Sequence, residues 1–244
     1  MTFHIITIFP DSLKSYIQTS ILRKAQALGK IKIKFYNPRD FTALKRRQAR
    51  PTERRQSFGR VDDRAYGGGA GMVLKAEPIL KTVEHIKRIY ELQTTNYKLV
   101  ILSAKGKLYN QKLAVNWAKI YDHLILIAGR YEGIDERVRK ILRAQEISVG
   151  PYVLTDGELP AMLIVCSVAR LIPGVIRCES LEEESYWNAK IKNETKTLLE
   201  HPHFTRPEVL VWRGKNYKVP KVLLSGHHRQ IKNWRQKMSK TLSK

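Results

Sequence analysis

The chain has 244 residues, 43% of them hydrophobic, enough to bury a core in one large or two small domains. It holds no run of eighteen apolar residues that could span a bilayer, and its two cysteines, Cys166 and Cys178, are too few for a disulfide framework or a structural zinc site. Lys plus Arg number 45 against 22 Asp plus Glu, a formal charge of +23; a surplus of this size, unevenly placed, points to a polyanionic partner, nucleic acid ahead of an anionic membrane.

The N-terminus, MTFHIITIFP, lacks a basic region and a small-residue cleavage site. It therefore reads as a first strand, not a signal peptide, and with the reduced cysteines it implies a cytoplasmic protein. Strand-like apolar runs recur at 3–9, 31–36, 98–104, 123–128 and 146–149. Between them the spacing is helical. Ser12 is expected to cap a helix through Leu13, Tyr16, Ile17, Ile21 and Leu22 towards Gly29. Further helices are expected over 77–91, 110–121, 135–145 and, more apolar, 158–172. Strands alternating with helices predict an α/β domain with a largely parallel sheet over 1–177. Within it, residues 45–60 (KRRQARPTERRQSFGR) carry seven basic residues and one acid and read as an inserted flexible loop, too charged to pack. Residues 178–206 are polar and aperiodic and read as a linker. Residues 207–244 read as a small, basic, mainly helical module, with Ile231 and Trp234 on one helix face; ten Lys or Arg follow Glu208, and no acid does.

Four stretches carry chemistry. In Asp62–Met72 (DDRAYGGGAGM) four glycines in five positions cannot hold a helix or strand, and such a loop lets backbone N–H groups approach a ligand. It lacks the Gly-Lys-Ser/Thr ending of a nucleotide phosphate loop, which disfavours ATP or GTP hydrolysis. Gly129–Arg137 (GRYEGIDER) follows the strand at 123–128, at the strand end where open α/β sheets place ligands, and Asp135 can cap the next helix. Ile147–Ala161 (ISVGPYVLTDGELPA) runs from a strand through a Gly/Pro turn into a helix, tight enough to wrap a compact ligand. In Arg170–Val175 (RLIPGV) Pro-Gly stops the apolar helix and leaves Arg170 at its end. No G-x-G-x-x-G occurs in a βαβ context, which argues against a Rossmann enzyme. The His201-Pro202-His203 and His227-His228 pairs lack a third ligand, so no metal site is assigned.

Taken in order, VDDRAYGGGAGM, GRYEGIDERV, YVLTDGELPAM, RLIPGV, HFTRPEVL and VLLSGHH resemble the landmarks of bacterial tRNA (guanine-N1)-methyltransferases, over nearly the whole chain. The resemblance implies a SPOUT-type α/β domain whose C-terminal part is threaded into a trefoil knot, a rare exception to the rule against knots. It also implies a homodimer with its active site at the subunit interface, a small C-terminal domain that closes over tRNA, and S-adenosylmethionine as methyl donor. The resemblance also admits Mg2+ as a further cofactor. Donor contacts are expected on Leu102, Ser103, Gly129 and Glu132, on Val149, Gly150, Pro151, Tyr152, Val153 and Leu154, and on Gly157 and Pro160. RNA contacts are expected on Asp62, Arg64, Tyr66, Gly67 and Gly68, and on His203, Arg206, Ser225 and His227. The implied reaction methylates N1 of the guanine immediately 3′ of the anticodon.

Guanine N1 carries a proton at neutral pH, so a carboxylate must remove it while a cation or donor stabilises the charge shifted onto O6. The family's Arg-x-Ile-Pro-Gly arginine is Arg170 here, and its Asp-Ser-Phe appears as Glu184-Ser185-Tyr186, which makes Glu184 the candidate base. Against the family pattern, residues 47–59 and 187–197 are inserted, and Pro151 and Asp156 stand where Asp and Gly are usual. Asp156 is expected either to meet polar groups of the donor or to weaken its binding. Two other readings compete: a knotted methyltransferase acting on another RNA, and a basic RNA-binding protein without catalysis.

Overall fold

The N-terminal apolar run forms strand β1 (Thr2–Ile6), all five residues of which are buried. A strand covered on both faces needs apolar side chains at consecutive positions, not alternating ones, and TFHII supplies nearly that. The computed structural model describes residues 1–42, 60–92, 96–177, 180–181, 197–198, 200–239 and 241–242. The chain divides into two compact units, Met1–Ile176 and Arg177–Lys244.

In the first unit, β1 is followed by a 3-10 turn (Pro10–Leu13), helices α1 (Lys14–Ile17) and α2 (Ser20–Ala27), and β2 (Lys32–Tyr36). A short hairpin, β3 (Asp62–Asp63) with β4 (Val73–Leu74), brackets the glycine-rich loop and leads into α3 (Ala76–Ile89). Then come β5 (Tyr97–Leu108), α4 (Gln111–Ile120), β6 (His123–Ala128), α5 (Glu136–Leu142), β7 (Gln145–Ser148) and α6 (Glu158–Ala169). The sheet order is β2-β1-β6-β5-β7, and all four pairings are parallel. The expected α/β class with a parallel sheet is therefore observed.

The pleat sends alternate residues to opposite faces. Phe3, Ile5, Leu124 and Leu126 pack on one side with Leu22, Trp117, Ile164 and Val165. Ile6, Ile125 and Ile127 pack on the other with Ile79, Val83, Ile86 and Val138. Helices cover both faces, as an all-parallel sheet requires.

Three expectations are corrected. The single helix from Ser12 to Gly29 is broken: Ser12 lies inside the 3-10 turn and its hydroxyl donates to Phe9 O at 2.8 Å, so it caps nothing. The break falls at Thr19, whose hydroxyl donates to Tyr16 O at 2.8 Å and competes with helix continuation, and Ser20 adopts a left-handed φ of 45°. The strand expected at 98–104 continues to Leu108 through a register shift against β7 between Leu102 and Lys107. The second unit is not mainly helical at its start, because β9 (Val209–Trp212) and β10 (Lys215–Lys218) form an antiparallel hairpin. Helices α7 (Lys221–Leu224) and α8 (His228–Met238) follow, and β8 (Thr197–Leu198) pairs with β11 (Thr241–Leu242). The run Val-Leu-Val-Trp has strand propensity that its basic surroundings masked in the sequence.

One ionisable residue sits within β1. His4 is fully buried, with Nδ1 3.1 Å from the Tyr36 hydroxyl and Nε2 3.0 Å from His123 Nδ1, and its ring meets Tyr90 edge-on at 4.6 Å. Burial, then His123 and Lys34, lowers its pKa to about 3. A depressed histidine pKa means that the unfolded chain binds the proton more readily than the fold does. Stability from this source is complete above the unfolded value of about 6.5 and falls as pH drops towards 3, by up to ~1.4 kcal/mol per pH unit. Urea midpoints should fall between pH 7 and pH 5, and His4→Gln should flatten that slope.

Candidate active site

The C-terminal ends of β5, β6 and β7 lie side by side in the sheet, where their loops enclose a cleft of about 390 Å3. This is the strand edge at which open parallel sheets place ligands, and the volume falls in the small-molecule range. Leu102 and Ser103 line it from the middle of β5, where its register against β7 shifts, Gly129 and Glu132 from the loop after β6, and Val149 from just beyond β7. Tyr152, Val153, Leu154, Gly157 and Pro160 complete the wall. Ten of the twelve expected donor contacts thus meet in one place. Gly150 and Pro151 belong to the same loop without lining the cleft; Gly150 is held by Ser148, whose hydroxyl donates to its carbonyl at 2.8 Å.

Two close backbone approaches build this cleft. Gly157 N–H donates to Gly129 O at 2.9 Å, and a Cβ on Gly157 would lie 2.5 Å from Gly129 N and 2.8 Å from Ala128 Cα. Its φ is −92°, so any residue could adopt the conformation and only space demands glycine. On the other side Glu132 N–H donates to Met72 O at 3.0 Å and Leu74 N–H to Gly133 O at 2.9 Å, which docks the glycine-rich loop beside Glu132. Gly67, Gly68, Gly69 and Gly71 all have positive φ, conformations that side chains rarely adopt. Tyr66 at the crown of that loop is wholly exposed, as are Arg64, Gly67 and Gly68 to lesser degrees, while Asp62 is half-buried in β3.

Beneath the cleft lies a polar network that sequence reasoning did not assign. Glu158, 2% exposed, accepts the Thr7 hydroxyl at 2.5 Å and Arg130 Nε at 2.9 Å. Arg130 lies 4.6 Å from the Phe9 ring centroid. Burial raises the pKa of Glu158 against the pull of Thr7 and Arg130. One buried carboxylate therefore ties the end of β1, the loop after β6 and the first turn of α6 together. Arg130 and Glu158 stood in quoted motifs, but their pairing across 28 residues left no local signal.

Asp156 lines the cleft and also braces its scaffold. One of its oxygens accepts the N–H groups of Glu158 at 3.0 Å and Leu159 at 3.2 Å, capping α6, and the other lies 3.7 Å from Arg130. Burial opposes its ionisation, but these N–H groups and Arg130 prevail and hold its pKa below the usual range. Asp135 caps α5 as expected, accepting from Arg137 N at 2.9 Å.

Arg170 is half-buried at the C-cap of α6, ten residues beyond Pro160 and so about 15 Å along the helix from the cleft. The structure does not bring it to the cleft-lining residues. Glu184 lies outside the described residues, as do most of the 45–60 loop, all but Thr197 of the 187–197 insertion, and Cys178. In the second unit His203 faces Glu200 at 3.6 Å, Arg206 is exposed, and Ser225 is engaged locally, donating to Val222 O and accepting from His227 N.

A parallel α/β unit with a loop-built cleft at its strand ends, joined to a strongly basic second unit, defines a ligand-binding α/β protein with a polyanionic partner. The family model described as tRNA (Guanine-1)-methyltransferase TrmD matches residues 1–244. Proteins named tRNA (guanine-N(1)-)-methyltransferase are similar throughout. That of Clostridioides difficile (strain 630) is 42% identical over 100% of this chain and 94% of its own. That of Dictyoglomus turgidum is 46% identical over 96% and 82%, and that of Mycoplasma mycoides subsp. mycoides SC 42% over 100% and 90%. The chain belongs to the tRNA (guanine-N1)-methyltransferase family.

Gly157→Ala should displace the backbone of Ala128 and Gly129 and narrow the cleft while leaving the sheet intact. Calorimetric titration with S-adenosylmethionine should show at least about tenfold weaker binding. The far-UV circular dichroism should be unchanged.

Proposed function

We propose that the protein transfers a methyl group from S-adenosylmethionine to N1 of the guanine immediately 3′ of the anticodon in tRNA, in the cytoplasm. The observation that carries this reading is the convergence of the turns at 129–133 and 149–157 on one cleft, in a chain whose whole length matches the family. Leu102, Val149, Leu154 and Pro160 offer apolar surface for a purine ring, and the carboxylate of Glu132 offers a partner for an ammonium group. When bound there, the donor supplies an electrophilic methyl on a sulfonium.

The chain's own residues must then handle one proton and one shifting charge. Glu184 is the proposed base: it accepts the N1 proton of guanine, and its side chain is one methylene longer than the family's aspartate. Arg170 is the proposed partner of O6, where negative charge collects as the proton leaves. Because Arg170 lies about 15 Å along α6 from Pro160, we propose that a site is completed across two copies of the chain, the cleft from one and Arg170 from the other. An exposed apolar stripe supports the pairing: Leu159, Leu163 and the half-buried Cys166 follow helical spacing on α6, and Tyr16, half exposed, lies against Cys166 at 3.7 Å. The passage of Gly157 against the backbone of Ala128 and Gly129 is the kind of crossing that the proposed trefoil knot requires. The segment 178–206 is proposed as the linker, and 207–244 as the tRNA-binding domain, with Asp62, Arg64, Tyr66, Gly67 and Gly68 as RNA contacts from the first.

The test is transfer of labelled methyl to tRNA transcripts with guanine or adenine after the anticodon, with and without Mg2+. Label on the guanine transcript alone is expected. Label on neither, with the donor still bound, would point to another RNA, and no donor binding would leave only an RNA-binding protein. Arg170→Ala and Glu184→Ala should each lower turnover by about 10²-fold or more while donor affinity stays within about twofold of wild type. Unchanged turnover in the Glu184 variant would remove it from the mechanism.

A further inference from the structure

We propose that the β9–β10 hairpin of the second unit is an RNA-contact surface, which packs its aromatic face on unpaired bases and sets its turn arginine and lysines against phosphates. This rests on tRNA being the substrate, as proposed above.

All eight residues of the two strands are exposed. Leu210 pairs with Tyr217 and Trp212 with Lys215 across the ladder, so the period of two puts Leu210, Trp212, Lys215 and Tyr217 on one face. Trp212 is 61% exposed and Tyr217 54%. A two-stranded hairpin uncovered on both faces is marginal in water, and clustered exposed aromatics mark a surface that meets a partner.

The turn narrows the choice of partner. Arg213 and Gly214 have φ of 52° and 73°, the two left-handed residues of a two-residue hairpin turn. Asparagine or glycine fits the first of these positions with little strain, yet an arginine occupies it. Lys215 and Lys218 extend its charge along β10, and no acidic residue follows Glu208. A second copy of a chain carrying +23 would bring like charge to this face, whereas RNA brings phosphates and flat bases together. Stacking on aromatic faces flanked by cations is how proteins hold unpaired RNA without needing a groove.

Four variants test this in the full chain: Trp212→Ala, Trp212→Phe, Tyr217→Ala and Arg213→Gly, read by tRNA affinity, melting temperature, donor affinity and mass in solution. The two alanine variants should bind tRNA about tenfold more weakly, and Trp212→Phe should stay within about threefold of wild type. Arg213→Gly separates contact from folding. It relieves the turn, so the melting temperature should hold or rise, while tRNA affinity falls and the slope of log affinity against log salt shrinks by about one. Donor affinity and solution mass should not change. Wild-type tRNA affinity and salt slope in all four variants would overturn the proposal, as would weakening that only accompanies lost melting temperature or a changed solution mass. If those variants were silent in a wild-type protein that methylates tRNA, the hairpin assignment alone would fail. If the wild type methylated no tRNA but bound it through the hairpin, the proposed reaction alone would fail.

Discussion

Where the turn before α6 crosses the end of β6, the backbones of Gly157 and Gly129 come within hydrogen-bonding distance, N–H to carbonyl at 2.9 Å. No side chain larger than hydrogen fits at Gly157 while that contact lasts. The crossing brings the 129–133 loop and the 149–157 loop onto opposite walls of one cleft. It also sets the first turn of α6 beside β1, and the buried carboxylate of Glu158 then joins Thr7 to Arg130. Steric exclusion and one buried ion pair thus fix the loops that the chemistry needs.

Burying a carboxylate is unfavourable unless it is paired and hydrogen-bonded. Glu158 meets both conditions, and its partners come from two different strand ends. Asp156 adds a second carboxylate to Arg130 and caps α6 with its other oxygen. A residue that departs from the family pattern therefore braces the scaffold and lines the cleft at once. Two backbone N–H groups at the start of α6 hold one oxygen of this carboxylate, while the residue stays on the cleft wall.

The charge of the chain is distributed for a different task. The first unit presents a cleft lined by apolar residues and by charges of both signs, among them Lys105, Arg130, Glu132 and Asp156, and the second presents cations and aromatic rings on open strands and helices. Placed in one chain, a small-molecule cleft and a polyanion surface suit an enzyme that brings a donor to a nucleic acid.

Local patterns in the sequence determined the strands of the parallel sheet, the presence of helices α3, α4 and α6, the Asp135 cap and the glycine-opened turns that line the cleft. Those features depend on residues a few positions apart, so periodicity and turn chemistry expose them. The tertiary structure decided the rest. The Glu158–Arg130–Thr7 network and the approach of Asp156 to Arg130 depend on residues that meet only after the sheet has assembled, whereas the break at Thr19 and the reach of α6 from Pro160 to Arg170 are set locally. The β9–β10 hairpin was hidden for a related reason: its strand-forming residues are few and embedded in basic sequence, and only the cross-strand register shows that they share a face. Chain separation carries no information about distance in space, and in this protein the contacts that define the site span it.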